Sequence, residues 1–341
     1  MTLANRIAQS RAPLLVQLLT SGKVTRLSGP AEYAQQIKSC PLRFALSDDL
    51  TRLCTALAYS KGARTLECAD LLHVPAQWVW VEWGQQAWER ELALYRFPPP
   101  HTCAAAGARR GVLIRSSPEG RRGTLRTFWT TDDGEALASS MEAFFDFDTA
   151  AEEVPEPPDG EYSRTVQVTD RKTLGQDLLG RCFRMRYERS WREYYERAGL
   201  DTASEETLTR RALGTIAIDI PVVLVFFLLL ATRSGLPRHP QTLARLNRAR
   251  LKRGKVPLLE HIVVTCPLLP SQRDAGSEGL RGSRRSPRLH HVRGHLFRRG
   301  CELYWRVPHL RGNARRGVVQ TRTVTWTFEG SANARALKST A

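Results

Sequence analysis

The chain has 341 residues, of which 42% are apolar and 25% charged, and its formal net charge is +17. This composition excludes an intrinsically disordered chain, in which apolar residues are scarce. The excess charge is confined to residues 233–322, which contain 21 lysines and arginines against four acidic residues, whereas the remaining residues balance. Such a concentration of positive charge favours a polyanionic partner, with solvated arginine-rich surface as the alternative.

The first elements of the chain are predicted to be helices. Apolar residues recur at three- and four-residue spacing in residues 31–40 and again in residues 47–62. Ser47 precedes two aspartates, as expected for the residue that caps a helix at its N-terminus. The pattern therefore predicts two amphipathic helices, the second of them capped by Ser47.

A tryptophan-rich stretch and a predicted β-hairpin follow. The tryptophans of residues 78–88 fit a strand or one face of a helix, and we interpret them as core residues. Two strand-like runs, residues 111–116 and 124–131, are separated by the turn-prone "SPEGRRG". The sequence predicts a β-hairpin there.

An acidic, proline-rich stretch at residues 150–161 is the best candidate for a boundary between regions. We predict a mainly helical, tryptophan-rich region with a β-hairpin over residues 1–150. Residues 151–265 are predicted to be helical with a buried apolar segment, and residues 266–341 to form a basic antiparallel β-module. The predicted fold class is α+β, whether these regions are separate or form one domain.

The most apolar segment, residues 213–231, is nearly long enough to span a membrane. Asp219 and Pro221 interrupt it and leave an unbroken apolar run of 12 residues, 220–231. A charged residue at the centre of a membrane helix costs about 3 kcal/mol, which offsets several leucines. We therefore predict a buried core element in which an arginine pairs with Asp219. A membrane anchor through residues 213–231 is the alternative.

The basic region is predicted to begin with a short helix, "RLNRARLKRGK" at residues 245–255, which Gly254 ends. Arg245, Arg248 and Lys252 share one face of such a helix, which suits contact with a phosphate backbone. Three strand-like runs follow, residues 290–297, 301–310 and 317–328, and the first two are joined by a tight turn.

The stretch "SPRLHHVRGHLFRRG" at residues 286–300 carries three histidines among four arginines. If residues 290–297 form one strand, the period of two places His291, Arg293 and His295 on one face. This set suits a metal-independent ribonuclease or toxin that needs a general base, a general acid and a phosphate-stabilising cation. Phosphate contact is the favoured interpretation, because no acidic residue nearby orients an imidazole. The predicted nucleic-acid contacts are Arg248, Lys252, Arg288, Arg293, His295 and Arg298.

No complete catalytic motif occurs in the chain, and whether it is an enzyme is left open. Glycine-rich phosphate loops and HExxH are missing, so no cofactor is predicted. Its seven cysteines are scattered without the spacing of a zinc site, and no metal is predicted. No signal peptide is recognised, and reduced thiols in the cytoplasm are expected.

The segments "RLNRARLKRGKVPLL", "RRSPRLHHVRGHLFRR" and "YWRVPHLRG" resemble the C-terminal part of a group of uncharacterised proteins found in bacteriophages, prophages and plasmids. The similarity is most specific at residues 285–295 and extends loosely to "LHVPAQWVWVEW". The adjacent His290 and His291 depart from the group's pattern. This resemblance implies a mobile-element origin and a soluble, intracellular protein whose apolar segment is core. It implies no particular activity.

Overall fold

The computed structural model describes residues 1–10, 14–20, 23–28, 31–59, 70–95, 107–148, 163–165, 182–187, 216–233, 235–266, 288–292, 294–300, 302–306, 309–311 and 313–318. The chain divides into two compact units, whose segments alternate along the sequence. The first comprises Met1–Leu268 and His295–Arg306, and the second Leu269–Gly294 and Val307–Ala341. This division differs from the three successive regions that the sequence suggested.

Six helices and seventeen strands occur in the described residues. The helices are α1 Leu3–Gln9, α2 Ala31–Ser39, α3 Asp48–Tyr59, α4 Gln85–Leu94, α5 Ile220–Leu230 and α6 Ala244–Lys252. The strands of the first unit are β1 Leu15–Thr20, β2 Lys23–Ser28, β3 Leu42–Leu46, β4 Trp78–Gly84, β5 Arg109–Ser116, β6 Arg122–Thr130, β7 Ala136–Ser139, β8 Met141–Asp146, β9 Ser163–Thr165, β10 Phe183–Tyr187, β11 Arg238–Gln241, β12 His261–Val264, β14 His295–Arg299 and β15 Glu302–Arg306. Those of the second unit are β13 Arg288–Val292, β16 His309–Arg311 and β17 Asn313–Val318.

A mixed sheet organises the first unit, in the order β11-β12-β3-β4-β5-β6-β7-β1-β2. The pairs β12–β3, β3–β4 and β1–β7 are parallel, whereas β4, β5 and β6 form an antiparallel meander. Strand β8 pairs with β6 and β10, and β9 pairs with β10. β14 and β15 form a separate two-stranded sheet. In the second unit β13 pairs with β16 and β17.

The α+β class is confirmed, but the prediction of a mainly helical region over residues 1–150 is wrong. The described residues before residue 149 contain eight strands and four helices. The predicted helices α2 and α3 are present, and the amide of Leu50 donates to the Ser47 hydroxyl over 3.3 Å, as a cap requires. The error arose at strands such as β4, which is buried along most of its length. The pattern of these residues fitted a strand as well as one face of a helix, so periodicity alone did not decide between the two.

The tryptophans form core, as predicted. Trp80, Trp83 and Trp88 have no exposed surface, and Trp78 at the end of β4 is half-buried. The predicted hairpin of residues 111–131 is the β5–β6 pair, whose strands are antiparallel. The meander β4-β5-β6 is therefore the centre of the sheet.

The apolar segment forms helix α5, whose eleven residues are all buried. Phe226 of α5 meets Phe44 of β3 edge to face, with ring centroids 5.3 Å apart. Among the described residues, no helix combines the length and hydropathy needed to cross a membrane. Asp219, immediately before α5, pairs with Arg110 of β5, so the predicted arginine partner is confirmed.

Candidate nucleic-acid interface

Helix α6 lies against the protein through one face, although none of its residues is fully buried. The Asn247 side-chain amide donates to the carbonyl of Leu258 over 2.8 Å, and its oxygen accepts from the Leu258 amide over 2.7 Å. Arg250 donates to the carbonyl of Val256 over 2.9 Å and to the Gln9 side chain over 3.1 Å. These bonds fold the segment after α6 against the helix and attach the helix to the end of α1.

The opposite face of α6 is a row of cations. Arg245, Arg248 and Lys252 are exposed, and within the part of the chain that the structure describes they form no hydrogen bond or ion pair. Arg253 and Lys255 beyond the helix are likewise exposed and unpaired there. These five residues are called the α6 cation row.

Local sequence explains why the helix ends where it does. Gly254 adopts a φ of +65°, a left-handed conformation that favours glycine, and its amide donates to the carbonyl of Leu251. The amide of Lys255 donates to the carbonyl of Arg250. Basic residues in the last turn also interact favourably with the helix dipole.

No carboxylate neutralises this surface from within the segment. Residues 238–256 contain seven lysines and arginines and no aspartate or glutamate. The next acidic residue, Glu260, accepts a hydrogen bond from the amide of Leu243 over 3.2 Å. Because Leu243 precedes the first turn of α6, this carboxylate lies at the end of the helix remote from Lys252.

The hairpin β14–β15 carries the second group of predicted contacts. The sequence predicted this tight hairpin, and Gly300 at its turn has a φ of +61°. One face, with Leu296, Leu303 and Trp305, is buried. Because side chains alternate along a strand, His295 and its neighbours on the other face point away from that core.

An aromatic pair occupies this outer face. Phe297 and Tyr304 lie directly opposite each other in the ladder, and their rings stack with centroids 5.3 Å apart and an interplanar angle of 17°. The Arg306 guanidinium lies 5.2 Å from the Phe297 centroid, and the exposed His295 ring lies 6.2 Å from it. This aromatic pair was not predicted from the sequence. The "RRG" turn was the usable signal, since it fixes the register that sets residue 297 opposite residue 304.

Ion pairs connect the hairpin to the rest of the first unit. Arg298 donates to Asp70 over 2.7 Å and to the carbonyl of Gly300 over 2.8 Å, so its charge is already paired. Arg233 donates to both carboxylate oxygens of Glu302, which also accepts from the Tyr304 hydroxyl. The bonds from Tyr304 and Arg233 lower the pKa of Glu302.

The proposed catalytic set is not assembled on one strand. His291 belongs to β13 in the second unit, whereas His295 begins β14 in the first, and the two strands have different partners. The prediction of one continuous strand over residues 290–297 is therefore wrong, because backbone pairing changes sheets after Val292. Arg293 lies outside the described residues. Arg288 is on β13, and its side chain is outside the described part of the chain.

A cavity of about 520 Å³ beside the hairpin contains several charged groups. Most of them form ion pairs. Arg233 and Glu302 pair with each other, whereas Asp70 pairs with Arg298 and Arg121 with Asp148. Across the described residues, no cluster of three or more His, Cys, Asp or Glu side chains is arranged to hold a metal ion. The cavity offers few groups that are available to a ligand.

Comparison of the chain with protein-family models, curated proteins and solved structures gives no match in any of the three. The resemblance to bacteriophage and plasmid proteins therefore stays a prediction.

Proposed function

We propose that the protein binds nucleic acid, with the α6 cation row as the principal contact to the phosphate backbone. The observation that carries this proposal is the row itself: five exposed cations, unpaired within the described residues, in a segment without acidic residues. A cation that already has a carboxylate partner gains little from a phosphate. The α6 cations lack that competition.

The spacing of the row supports backbone contact. Arg248 and Lys252 are one helical turn apart, about 6 Å along the axis. This is close to twice the rise of about 3.4 Å per nucleotide along one strand of a duplex. Each phosphate that such a cation neutralises releases condensed counterions, which provides affinity without reading the base sequence. Both DNA and RNA satisfy this requirement.

The outer face of the hairpin supplies a second contact of a different kind. Phe297 and Tyr304 offer a stacked aromatic surface, and Arg306 and His295 lie beside it. Aromatic side chains bordered by cations suit unpaired bases and the phosphates between them. Arg298 contributes less, because its charge is paired with Asp70. Contacts through Arg288 and Arg293 rest on the sequence alone.

The ribonuclease alternative is the less favoured of the two functions. It required His291 and His295 on one face of one strand, and they belong to strands of different sheets. A mobile-element origin remains part of the proposal through the resemblance of residues 285–295. We also propose a cytoplasmic location for the protein. Among the described residues, Cys40, Cys54 and Cys266 are free thiols, which is compatible with a reducing compartment.

The test is binding of the purified chain to labelled single-stranded and duplex DNA and RNA across a salt series. The variant Arg248→Gln/Lys252→Gln removes two charges from the α6 cation row. A matched control, Lys38→Gln/Arg90→Gln, removes two exposed charges that have no ion pair in the described residues of α2 and α4. We expect the α6 variant to reduce the slope of log K against log[salt] by about 2, in line with about 0.9 per phosphate contact.

The control variant should retain the parent slope and nearly all of the affinity. Equal losses in the two variants would mean that only net charge matters, and α6 would not be the contact. If the parent protein binds none of the four nucleic acids at low salt, the proposed function is wrong. Cleavage of the recovered nucleic acid would instead restore the catalytic hypothesis.

A further inference from the structure

A second cavity, of about 360 Å³, lies on one face of the central meander. Three adjacent strands build its floor. Trp78 of β4 pairs with Arg115 of β5, which pairs with Thr124 of β6, so the three side chains form a row across the sheet. Leu113 pairs with Arg126 to form the next row on that face. Because these positions belong to paired strands, the floor is preorganised.

Helix α2 and strand β8 complete the cavity. Gln36 of α2 and Glu142 of β8 line it together with the two rows. The ring of Tyr33, also on α2, lies 4.3 Å from the Arg126 guanidinium, which places this helix over that part of the sheet. The cavity is thus bounded by secondary structure on both sides.

Several polar groups in the cavity have no internal partner. The side chains of Gln36, Thr124 and Ser117 form no hydrogen bond within the described residues. The Arg115 guanidinium lies 5.7 Å from the centroid of the Trp78 ring and, within the same described part of the chain, forms no ion pair. In the 520 Å³ cavity, by contrast, most charges are paired. Polar groups that converge without internal partners are typical of ligand sites.

The charges that line the cavity favour an anionic ligand. Arg126 donates to the carbonyl of Ser139 over 3.0 Å and lies 4.0 Å from the carboxylate of Glu142, so these two charges offset each other. Arg115 remains as the uncompensated charge. The half-buried indole of Trp78 next to it provides a flat apolar surface.

We propose that this cavity binds a small planar aromatic anion. Its ring contacts the Trp78 indole, its anionic group pairs with Arg115, and Gln36 and Thr124 hydrogen-bond its polar edge. The cavity is near the lower end of the range of about 300–1,000 Å³ that ligand pockets occupy, which suits one ring system with an anionic substituent. Both nucleoside monophosphates and aromatic carboxylates have this chemistry. None of the lining residues belongs to α6 or the β14–β15 hairpin, so the proposal is independent of the proposed function.

The test is calorimetric titration of the full chain with probes that separate ring from charge. AMP, UMP and 4-hydroxybenzoate carry both, whereas adenosine carries only the ring and inorganic phosphate only the charge. We expect saturable binding of at least one aromatic anion, with adenosine and phosphate at least 10-fold weaker. Comparing AMP and UMP with 4-hydroxybenzoate shows whether the cavity prefers a nucleoside monophosphate or an aromatic carboxylate.

Substitutions then locate the binding. Arg115→Gln and Thr124→Val should each weaken binding of the aromatic anion, and Arg115→Gln should reduce the affinity at least 10-fold. Arg115 is exposed and has no ion pair in the described residues, so its substitution should leave the thermal unfolding midpoint unchanged. Arg90→Gln, an exposed charge on α4, is the matched control. The α6 variant Arg248→Gln/Lys252→Gln should retain full ligand affinity.

Three outcomes would overturn the proposal. They are no saturable binding of any aromatic anion, equal binding in Arg115→Gln, and inorganic phosphate binding as tightly as the aromatic anions. Each is independent of whether the chain binds nucleic acid.

Discussion

Arg110 donates hydrogen bonds to both carboxylate oxygens of Asp219, from Nε to Oδ1 and from Nη2 to Oδ2, each over 2.7 Å. Neither side chain has exposed surface. Trp88 lies 4.6 Å and Trp129 lies 5.8 Å from the guanidinium, so apolar rings surround the pair. Burial raises the pKa of Asp219, while Arg110 acts in the opposite direction. The pair connects β5 to the start of α5 and explains an acidic residue within the most apolar segment.

Removing one partner of this pair should be far more damaging than removing both. Asp219→Leu leaves the Arg110 charge buried without a carboxylate, and we expect a loss of about 3–5 kcal/mol in the free energy of unfolding. Arg110→Met should cost a similar amount. The double variant Arg110→Met/Asp219→Leu should lose clearly less than the sum. Urea unfolding of the four proteins measures this coupling, and simple additivity would contradict it.

The buried pair also shows what sequence can and cannot predict. Asp219 and Pro221 inside an apolar run were enough to predict a buried core element with an arginine partner, because an unpaired buried carboxylate is too costly. Which arginine it would be depends on the neighbours of β5 and could not be derived locally. The same limit explains the strand errors, since pairing between distant segments creates β3 and β4. Short sequence patterns gave correct predictions where neighbouring residues alone determine the structure. Examples are the helix end at Gly254 and the β14–β15 turn.

The candidate sites also differ in how far the sequence could predict them. A face shared by Arg248 and Lys252 follows from helical periodicity alone, and the structure places both on the exposed face of α6. The predicted shared face of His291 and His295 was wrong, because it assumed one strand where the chain forms two strands with different partners. The 360 Å³ cavity combines residues from α2, β4, β5, β6 and β8, and no sequence motif indicates such a combination.

The stacked pair on the β14–β15 hairpin predicts a preference for single strands. Phe297→Leu removes the ring on which Arg306 and Tyr304 pack but keeps an apolar side chain. We expect affinity for single-stranded RNA or DNA to fall about 10-fold, since stacking on one base contributes about 1–3 kcal/mol. Duplex affinity should change less than 2-fold. Fluorescence anisotropy at fixed salt compares the two, and an equal loss for duplex would exclude base stacking.

The pKa of Cys266 predicts slow alkylation. Burial first and the Asp49 charge second raise the pKa of this thiol from 9.0 to about 11. The thiolate reacts with iodoacetamide, so at pH 8 the rate should be about 100-fold below that of an unperturbed thiol. Between pH 9 and pH 10 the rate should still rise about tenfold, because this range lies below the pKa. Peptide mass spectrometry at a series of pH values resolves this site.

Asp49→Asn provides the control for Cys266. It removes the negative charge that helps to raise the thiol pKa, so Cys266 should react faster at every pH below about 10, while its burial still slows it. A plateau of the rate near pH 9 in the parent protein would mean that the thiol is effectively solvated.

Glu82 should contribute to stability well beyond a surface carboxylate. It is buried in β4 and accepts hydrogen bonds from the amides of Leu3 and Ala4 at the start of α1, over 3.1 and 3.0 Å. It also accepts from Trp80 Nε1 over 2.9 Å and from Arg109 Nε over 2.6 Å. One charge thus satisfies the helix end, an indole and a cation, and a neutral amide cannot accept all four bonds equally well.

Glu82→Gln should therefore lower the free energy of unfolding by about 2–3 kcal/mol, the range for losing charge-assisted hydrogen bonds to a buried group. The control is Glu119→Gln, an exposed carboxylate in the β5–β6 turn, which should change stability by less than about 0.5 kcal/mol. Hydrogen exchange should show faster exchange of the Leu3 and Ala4 amides in Glu82→Gln, because they lose a charged acceptor. If both variants unfold at the same urea concentration with the same slope, Glu82 does not secure α1 to the sheet.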